Sequence, residues 1–364
     1  MKLFFKILIS ASFVLALVCN VSAQKTQRTS KIHAPKNIIL MIGDGMGTAQ
    51  VYAGYTAKKG IMNITGMPVT GFSVTFSASD YITDSGAGGT ALSTGHKTKN
   101  YSIGVDTSGK PLETILEMAE KRGLSTGLIS TSSITHATPA SFIAHTSDRS
   151  KYADIAFDFL RTDIDVFIGG GYNNFAQRVD KLNLTDSLKA RGYYVARNLK
   201  DVDVKSTNRL AALLAPEHMP PMSKGRGNML PDATEMALQI LTRNENGFFI
   251  MIEGSQIDWG GHANDAAYVV DETVDFDNAV GKALKFAEKN GETLVIVTAD
   301  HETGGFGITG GSVVAGEVQG GFLSKDHTAT MVPVFAYGPG SEIFTGVQDN
   351  TDIFKKCVKL LGFK

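Results

Sequence analysis

The chain has 364 residues, of which 43% are hydrophobic and 20% charged, a composition typical of globular proteins and not of disordered or fibrous ones. Its 35 lysines and arginines are balanced by 36 aspartates and glutamates, so no basic excess points to a nucleic-acid partner. Two cysteines are too few for a disulfide scaffold or a cysteine-rich zinc site.

The N-terminus has the pattern of a signal peptide. Lys2 and Lys6 precede an apolar run at residues 7–18, and Val-Ser-Ala at 21–23 forms a cleavage site. The run is short for a spanning helix, so we expect an exported protein, periplasmic or secreted, without a membrane span. Cleavage would leave 33 basic and 36 acidic residues, a net charge of −3. It would also leave Cys357 as the single cysteine, which we expect to be buried in a C-terminal helix.

Apolar runs and helical patterns alternate along the rest of the chain. Runs that suit strands buried on both faces lie at residues 37–42, 127–131, 166–169, 248–252, 294–298 and 332–337. Helical patterns lie at 111–122, 152–160, 232–243 and 266–288, with Pro111 and Pro231 at the predicted helix starts. The alternation predicts one α/β domain over 24–364, with a doubly wound, mostly parallel sheet flanked by helices. Residues 200–230 are predicted to be an irregular excursion.

Carboxylates and imidazoles follow several of these runs, at the sheet edge where α/β proteins bind ligands. The candidates are Asp44, Glu253, Asp258, His262, Asp300, His301 and His327. Such mixed nitrogen and oxygen sets are typical zinc ligands. Asp258 and His262 have i, i+4 spacing, which places them on one side of a helix. Taken alone, that pair fits a capping aspartate and a surface histidine equally well.

Ser85 begins a segment of small residues, S-G-A-G-G, before a helical pattern. A serine at a helix N-terminus gains free N–H groups and a dipole that favours anions. Small neighbours let the backbone approach a bulky anion, although an N-capping serine would have the same sequence. Serine is a weak nucleophile until a base or a metal lowers its pKa.

Six motifs in order resemble the alkaline phosphatases and cover roughly residues 37–340. They are G-D-G-M-G, D-S-x-x-x-x-T-A, A-T-P-A followed by an arginine, E-G-x-x-I-D-x-x-x-H, T-A-D-H, and a late H-T with Y-G-P-G downstream. The resemblance implies hydrolysis of small phosphate monoesters.

The same resemblance implies a role for each matching residue. Ser85 would be the nucleophile that becomes phosphoserine, and Arg149 would clamp the phosphate while Asp84 orients the arginine. Two Zn²⁺ and one Mg²⁺ per subunit would serve the reaction, the zinc pair clamping the attacking and leaving oxygens. The implied ligands are Asp258, His262 and His327 for one zinc, Asp44, Asp300 and His301 for the other, and Asp44, Thr138 and Glu253 for magnesium.

Two positions depart from the pattern of the best-studied bacterial members, which carry Asp and Lys where this chain has His136 and Trp259. The pair resembles that of some cold-adapted bacterial enzymes. We expect both residues to tune the third metal site, which would tolerate Zn²⁺ or Co²⁺, and Trp259 to help bind substrate. For His136, direct ligation and a supporting role behind the ligands both stay open.

The segment 302–326 is short where larger members carry an insert over their dimer interface, so a homodimer is expected from the resemblance alone. Two other functions remain as alternatives. A phosphodiesterase or phosphonate hydrolase of the same superfamily would share the zinc ligands but usually lacks the third site. A non-catalytic exported phosphate- or metal-binding protein would not need a full zinc set beside a serine.

Overall fold

The computed structural model describes residues 34–363, so the predicted signal peptide at 1–23 lies outside the described residues. The strands are β1 Asn37–Gly43, β2 Val69–Val74, β3 Ser125–Ser133, β4 Val166–Gly170, β5 Tyr194–Ala196, β6 Leu210–Leu213, β7 Phe248–Gly254, β8 Thr293–Thr298, β9 Glu302–Thr303, β10 Gly307–Ser312, β11 Glu317–Gly321, β12 His327–Thr328, β13 Val332–Tyr337 and β14 Gly346–Asp349. The helices are α1 Thr48–Ala57, α2 Ser85–Thr94, α3 Ile115–Lys121, α4 Ala137–Ala140, α5 Tyr152–Asp158, α6 Tyr172–Ala176, α7 Leu184–Ala190, α8 Met229–Leu241, α9 Gln256–Ala263, α10 Ala266–Asn290 and α11 Asn350–Leu360.

A ten-stranded sheet forms the centre of the fold, in the order β14-β2-β13-β8-β1-β7-β3-β4-β6-β5. Its pairs are parallel except those of β13, which runs antiparallel to both β8 and β2. The predicted mostly parallel α/β sheet is therefore confirmed, and all six predicted apolar runs are strands of this sheet.

The two faces of the sheet carry separate hydrophobic clusters. In β1, Ile38, Leu40 and Ile42 pack into one cluster. Ile39 and Met41 point the other way and pack into the second. Because successive side chains alternate across a strand, helices must cover both faces, and this explains the uninterrupted apolar runs.

Two predicted boundaries are corrected by the structure. Pro111 does not begin a helix; α3 starts at Ile115, because Thr114 caps it with a reciprocal hydrogen bond to Glu117. The excursion at 200–230 is not irregular throughout, since it contains the central-sheet strand β6 and the first residues of α8. The run L-A-A-L is too short and too rich in alanine to stand out as a strand.

The register of the central strands brings their carboxyl ends to one level. Ile42 at the end of β1 pairs with Glu253 of β7 on one side and with Thr298 of β8 on the other. The chain then turns at Gly45, whose φ of +74° favours glycine and where a Cβ would lie 2.7 Å from the Cα of Asp258. The polar residues that follow these strands therefore meet at one edge.

The segment 302–326 and Cys357 lie outside the central sheet. The segment predicted to be a reduced insert, 302–326, folds into the hairpin of β10 and β11. Cys357 lies buried in α11, as predicted, and burial raises the pKa of its thiol to about 12. Among residues 34–363, no helix combines the length and the apolar character that a membrane crossing requires.

Candidate active site

Ser85 is the first residue of α2 and is almost completely buried. Asp84 is the N-cap of this helix, and its Oδ1 accepts a hydrogen bond of 2.9 Å from the backbone N–H of Ala87. The Oγ of Ser85 lies 3.3 Å from Nε2 of His301. The hydroxyl thus lies between a helix N-terminus and the histidine that follows β8.

Arg149 lies beside this serine segment through its contact with Asp84. Its Nη1 donates to Oδ2 of Asp84 across 2.7 Å, and both side chains are mostly buried. The backbone N–H of Tyr101 donates to the same Oδ2, and the carbonyl of Tyr101 accepts from the backbone N–H of Arg149. Although burial opposes the charge, Asp84 raises the pKa of Arg149, so the guanidinium remains a cation.

The first metal-ligand cluster contains Asp258, His262 and His327, whose donor atoms lie within 4.8 Å of one another. Asp258 and His262 lie one turn apart on α9, with 3.3 Å between Oδ1 and Nε2, as their spacing predicted. His327 arrives from β12, and its Nε2 is 3.2 Å from Nε2 of His262.

Hydrogen bonds fix the tautomers of both histidines. Nδ1 of His262 donates to the carbonyl of Lys325, and Nδ1 of His327 donates to that of Thr83 across 2.9 Å. In the neutral imidazoles the Nε2 atoms therefore carry lone pairs. Two lone pairs 3.2 Å apart repel unless a proton or a cation lies between them, so this cluster suits a metal.

The second cluster surrounds Nε2 of His301. Asp44 Oδ1 lies 3.5 Å from this nitrogen and Asp300 Oδ2 lies 3.3 Å from it. Both oxygens are buried and have no hydrogen-bond partner among the described residues. Asp258 also reaches within 4.8 Å of Asp44 and His301, but its Oδ1 already accepts a hydrogen bond from Thr303. The unpaired oxygen of Asp300 makes it the better third ligand.

Thr303 joins the two clusters. Its hydroxyl donates to Oδ1 of Asp258, so its oxygen accepts from Nδ1 of His301, 3.3 Å away. This leaves the Nε2 lone pair of His301 directed at its cluster. The rings of His301 and His327 stack at 3.5 Å, so the two clusters are neighbours.

A third group of oxygens adjoins the second cluster. Thr138 Oγ1 donates to Oδ2 of Asp44 across 3.2 Å, and Oε1 of Glu253 is buried without a partner in the described chain. Ser130 holds the other oxygen of Glu253 at 2.6 Å and contacts Ser255. A hydroxyl and two carboxylates form an oxygen set of the kind that Mg²⁺ prefers.

Crowding of buried acids shifts their pKa values upward. Burial, and next to it the charge of Asp300, raises the pKa of Asp44 well above its usual range. Burial raises the pKa of Asp300 to about 7 and also raises that of Glu253. Such acids hold protons unless cations replace them. The orphaned oxygens, the fixed lone pairs and these shifts together fit a centre that holds divalent metals.

The pKa values of Asp258 and His262 shift in opposite directions to each other. Burial by itself would raise the pKa of Asp258. Hydrogen bonds from His262 and His327 nevertheless hold that pKa well below its usual range. The same hydrogen bond raises the pKa of His262 to about 9. Without a metal, Asp258 is therefore an anion beside a protonated His262, and a bound cation would replace that proton.

His136 and Trp259 lie together, with 6.2 Å between their ring centroids in edge-to-face contact. His218 packs edge-on against both rings, at 5.6 Å from His136 and 4.8 Å from Trp259. Its Nδ1 accepts a hydrogen bond from the backbone N–H of Ser133. Burial, with the charge of Arg149, lowers the pKa of His136 to about 3, so its imidazole is neutral.

Neither His136 nor Trp259 belongs to the metal-ligand clusters described above. Nδ1 of His136 is buried without a hydrogen-bond partner in residues 34–363, which fits both direct metal ligation and a supporting role behind the ligands. Trp259 is half-buried and is not among the described residues that line the pocket beside Arg149.

Sequence reasoning missed several residues that the structure brings to the site. His218 lies in the segment interpreted as an irregular excursion, and Thr303 and Ser130 have no distinguishing neighbours in the sequence. Tyr101 gives no signal either, because only its backbone conformation, a positive φ, is unusual. Contacts made between distant segments leave no periodic pattern in a single sequence.

Comparison with known proteins places these motifs in context. The family model described as alkaline phosphatase matches residues 35–320 and 315–363. Alkaline phosphatase 4 of Bacillus subtilis (strain 168) is 34% identical, with 92% of each chain covered. The alkaline phosphatase of the Antarctic bacterium TAB5 is 44% identical and superposes with a TM-score of 0.87 over 92% of this chain and 100% of that one. A mutant of the TAB5 enzyme, with a histidine replaced by aspartate and Mg bound in the M3 site, gives a TM-score of 0.88 at the same identity and coverage.

Proposed function

The chain belongs to the alkaline phosphatase family and is a metal-dependent phosphate monoesterase, and from this premise we propose that Ser85 is its nucleophile. The observation that carries the proposal is the position of Ser85 Oγ at the N-terminus of α2, 3.3 Å from Nε2 of His301 and next to the Asp84–Arg149 pair. An incoming phosphoryl group would meet helix N–H groups and a guanidinium at the same point.

Ser85 would react in two displacements. In the first, Oγ forms a bond to phosphorus while the bond from phosphorus to the alcohol oxygen breaks, giving phosphoserine and an alcohol. In the second, water attacks phosphorus, the Oγ–P bond breaks, and inorganic phosphate leaves. In the first displacement Ser85 gives up its proton and the leaving alcohol takes one up. In the second, water gives up one proton and the Ser85 oxygen takes one up, which regenerates the serine.

Arg149 would bind two oxygens of the phosphoryl group, because a guanidinium matches that spacing. Asp84 holds the guanidinium by the 2.7 Å bond, and the backbone of Tyr101 fixes both residues. Arg149 is therefore ordered before substrate binds, so binding costs little further conformational entropy of its side chain. Phosphoryl transfer depends mainly on such positioning and on charge stabilisation.

The metal proposal assigns Zn²⁺ to two clusters and Mg²⁺ to the third. The proposed holders are Asp258, His262 and His327 for one zinc, Asp44, Asp300 and His301 for the other, and Asp44, Thr138 and Glu253 for magnesium. When bound, the zinc ions would supply the positive charge that stabilises the attacking and leaving oxygens.

The test of the nucleophile is covalent trapping. The purified protein is incubated with inorganic phosphate at mildly acidic pH, quenched, digested and analysed by mass spectrometry. We expect one phosphoryl group on the peptide that contains Ser85. Ser85→Ala should lose both this adduct and turnover while keeping its metal content. Ser93→Ala, in the same helix, is the matched control and should keep the adduct. A phosphorylated peptide elsewhere would remove Ser85 from the mechanism.

Export, the homodimer and the substrate range belong to the same proposal. Lys2, Lys6 and the apolar run at 7–18 support export to the periplasm or the medium. We propose that small phosphate monoesters in general are substrates, because the site holds the phosphoryl group. N-terminal sequencing of the secreted protein and sedimentation of the mature chain would test the processing and the dimer.

A further inference from the structure

A pocket of about 290 Å³ opens beside Arg149 and two of the proposed ligands, His262 and His327. Ile82 and Tyr101 contribute apolar and aromatic surface to it. The alcohol part of a monoester held at Arg149 would extend into this space. Pockets for drug-sized ligands measure roughly 300–1,000 Å³, so this one suits a group about as large as a single ring.

Tyr101 has a backbone conformation that disfavours tyrosine. Its φ is +69°, in the left-handed region where glycine and asparagine are the usual residues. Its backbone bonds to Asp84 and Arg149 would form equally well with glycine at this position. A bulky residue held at such a φ is therefore a sign that its side chain has a use. The ring is 68% exposed and free to contact a ligand.

The aromatic surface is held in place by Asn100. Its Nδ2 donates to the carbonyl of Ile82, and its Oδ1 accepts from the backbone N–H of Asp84. The segments that carry Ile82 and Tyr101 are thereby joined, and the surface is ordered before a ligand binds. A preformed surface loses little entropy on binding.

The charges around the pocket are unequal. Among its described lining residues, Arg149 is the one arginine or lysine, and it is paired with Asp84 and proposed to hold the phosphoryl group. Asp326 adds an exposed carboxylate to the same lining. An anionic group on the leaving alcohol would meet this carboxylate, while Arg149 and the cation proposed at His262 and His327 would be engaged with the phosphoryl and leaving oxygens.

We propose that this space, the Tyr101 pocket (Ile82, Asn100, Tyr101 and Asp326), binds the alcohol part of the substrate and selects an uncharged aromatic ring over an anionic one. The inference rests on the proposed placement of the phosphoryl group between Ser85 and Arg149. The ring of Tyr101 is then specificity-determining, whereas its backbone N–H and carbonyl, which glycine also provides, bond to Asp84 and Arg149.

The experiment measures kcat/KM of the metal-loaded full chain for phenyl phosphate, ethyl phosphate and para-carboxyphenyl phosphate, together with Ki for inorganic phosphate. Tyr101→Gly removes the ring and relieves the positive φ, so its folding is not at risk. We expect it to lower kcat/KM for phenyl phosphate about three- to tenfold, the contribution of one aromatic contact. Ethyl phosphate turnover and Ki for phosphate should change by less than about twofold, and Tyr101→Phe should retain the wild-type ratio of phenyl to ethyl phosphate.

A second variant tests the proposed selection against anionic rings, the charge half of the proposal. Asp326→Asn should raise kcat/KM for para-carboxyphenyl phosphate by roughly two- to fivefold and leave phenyl phosphate unchanged, as expected for one exposed charge. A parallel fall for both phenyl and ethyl phosphate in Tyr101→Gly, or no fall at all, would overturn the aromatic half. An unchanged ratio in Asp326→Asn would overturn the charge half. Failure of the wild type to hydrolyse phenyl phosphate and ethyl phosphate, whose alcohol parts are uncharged, would count against the proposed Ser85 site instead.

Discussion

Nη1 of Arg149 donates to Oδ2 of Asp84 across 2.7 Å, although the two residues are 65 positions apart in the chain. Asp84→Asn keeps a good N-cap for α2 but turns an amide toward the guanidinium. A lost charge-assisted hydrogen bond costs about 1.5–3 kcal/mol, so we expect Ki for inorganic phosphate to rise roughly tenfold or more. Asp148→Asn, beside Arg149 in sequence but bonded to Ser150, is the control and should leave Ki unchanged. Equal values for the two variants would show that Asp84 does not orient the arginine.

Thr303 offers a test of how the two histidine clusters are supported. Thr303→Val keeps the shape of the side chain but removes its hydrogen bonds to Asp258 and His301. Such supporting bonds are typically worth about 10–100-fold in metal affinity. Zinc affinity, measured by chelator competition, should fall by that factor, whereas Thr309→Val on the β10–β11 hairpin should retain wild-type affinity. Unchanged zinc affinity in Thr303→Val would mean that the ligands are positioned without it.

His136→Asp should raise the magnesium content of the proposed third site. A carboxylate is a harder ligand than imidazole and suits Mg²⁺ better. After dialysis against equal concentrations of Mg²⁺ and Zn²⁺, metal analysis should find more magnesium per chain than in the wild type. His96→Asp, a matched change away from the site, should not alter the ratio; the same ratio in both variants would contradict the prediction.

Arg226 holds the segment that carries His218. Its guanidinium is buried between Glu272 and Asp275 and also donates to the carbonyl of Pro220. Arg226→Met would leave two buried acids without their cation, which we expect to lower the free energy of unfolding by about 3–5 kcal/mol in urea titrations. Arg161→Met removes an exposed ion pair and should cost under about 1 kcal/mol.

The same variant has a spectroscopic readout. Trp259 is the single tryptophan and packs against His218 and His136, so its fluorescence responds to a displacement of the His218 segment. In folded Arg226→Met we expect an emission shift if the segment loosens. An unchanged spectrum together with unchanged stability would show that the buried ion group is dispensable.

Glu120 predicts a pH dependence that is separate from the metal centre. Burial raises its pKa from the ordinary value of 4.5 to about 7 in the folded protein. The folded state therefore binds this proton more tightly, and the stability it contributes is present below 4.5 and lost as the pH rises through about 7. Glu120→Gln should raise Tm at about pH 9 and have little effect at about pH 4. Glu113→Gln, which changes an exposed carboxyl nearby, is the control; a Tm gain that is equal at both pH values would contradict the assignment.

Much of the fold followed from local pattern. The six apolar runs became strands of the central sheet because a strand buried on both faces must be apolar along its length. Asp44, Glu253 and Asp300 converge because they lie at or just after the carboxyl ends of the neighbouring parallel strands β1, β7 and β8. The helical spacing of Asp258 and His262 placed both on one side of α9. Those are properties of a few consecutive residues, which a single sequence displays.

Family membership rested on something else, the order and identity of the six motifs. Their resemblance named the fold and the activity that the comparisons then supported. It did so without any account of packing, and for the two positions at which this chain departs from the best-studied bacterial members, His136 and Trp259, it gave expectations only.

The tertiary structure alone decided what surrounds the reacting groups. His218 reaches Trp259 because the segment after β6 folds back over the ends of β3 and β4. There the backbone N–H of Ser133 donates to Nδ1 of His218. Tyr101 contributes a wall to the pocket because its backbone joins Asp84 to Arg149 at a positive φ. Contacts of this kind depend on how loops separated by many residues pack against one another. A strand or a helix is fixed by its neighbours in sequence, whereas these contacts are fixed by neighbours in space.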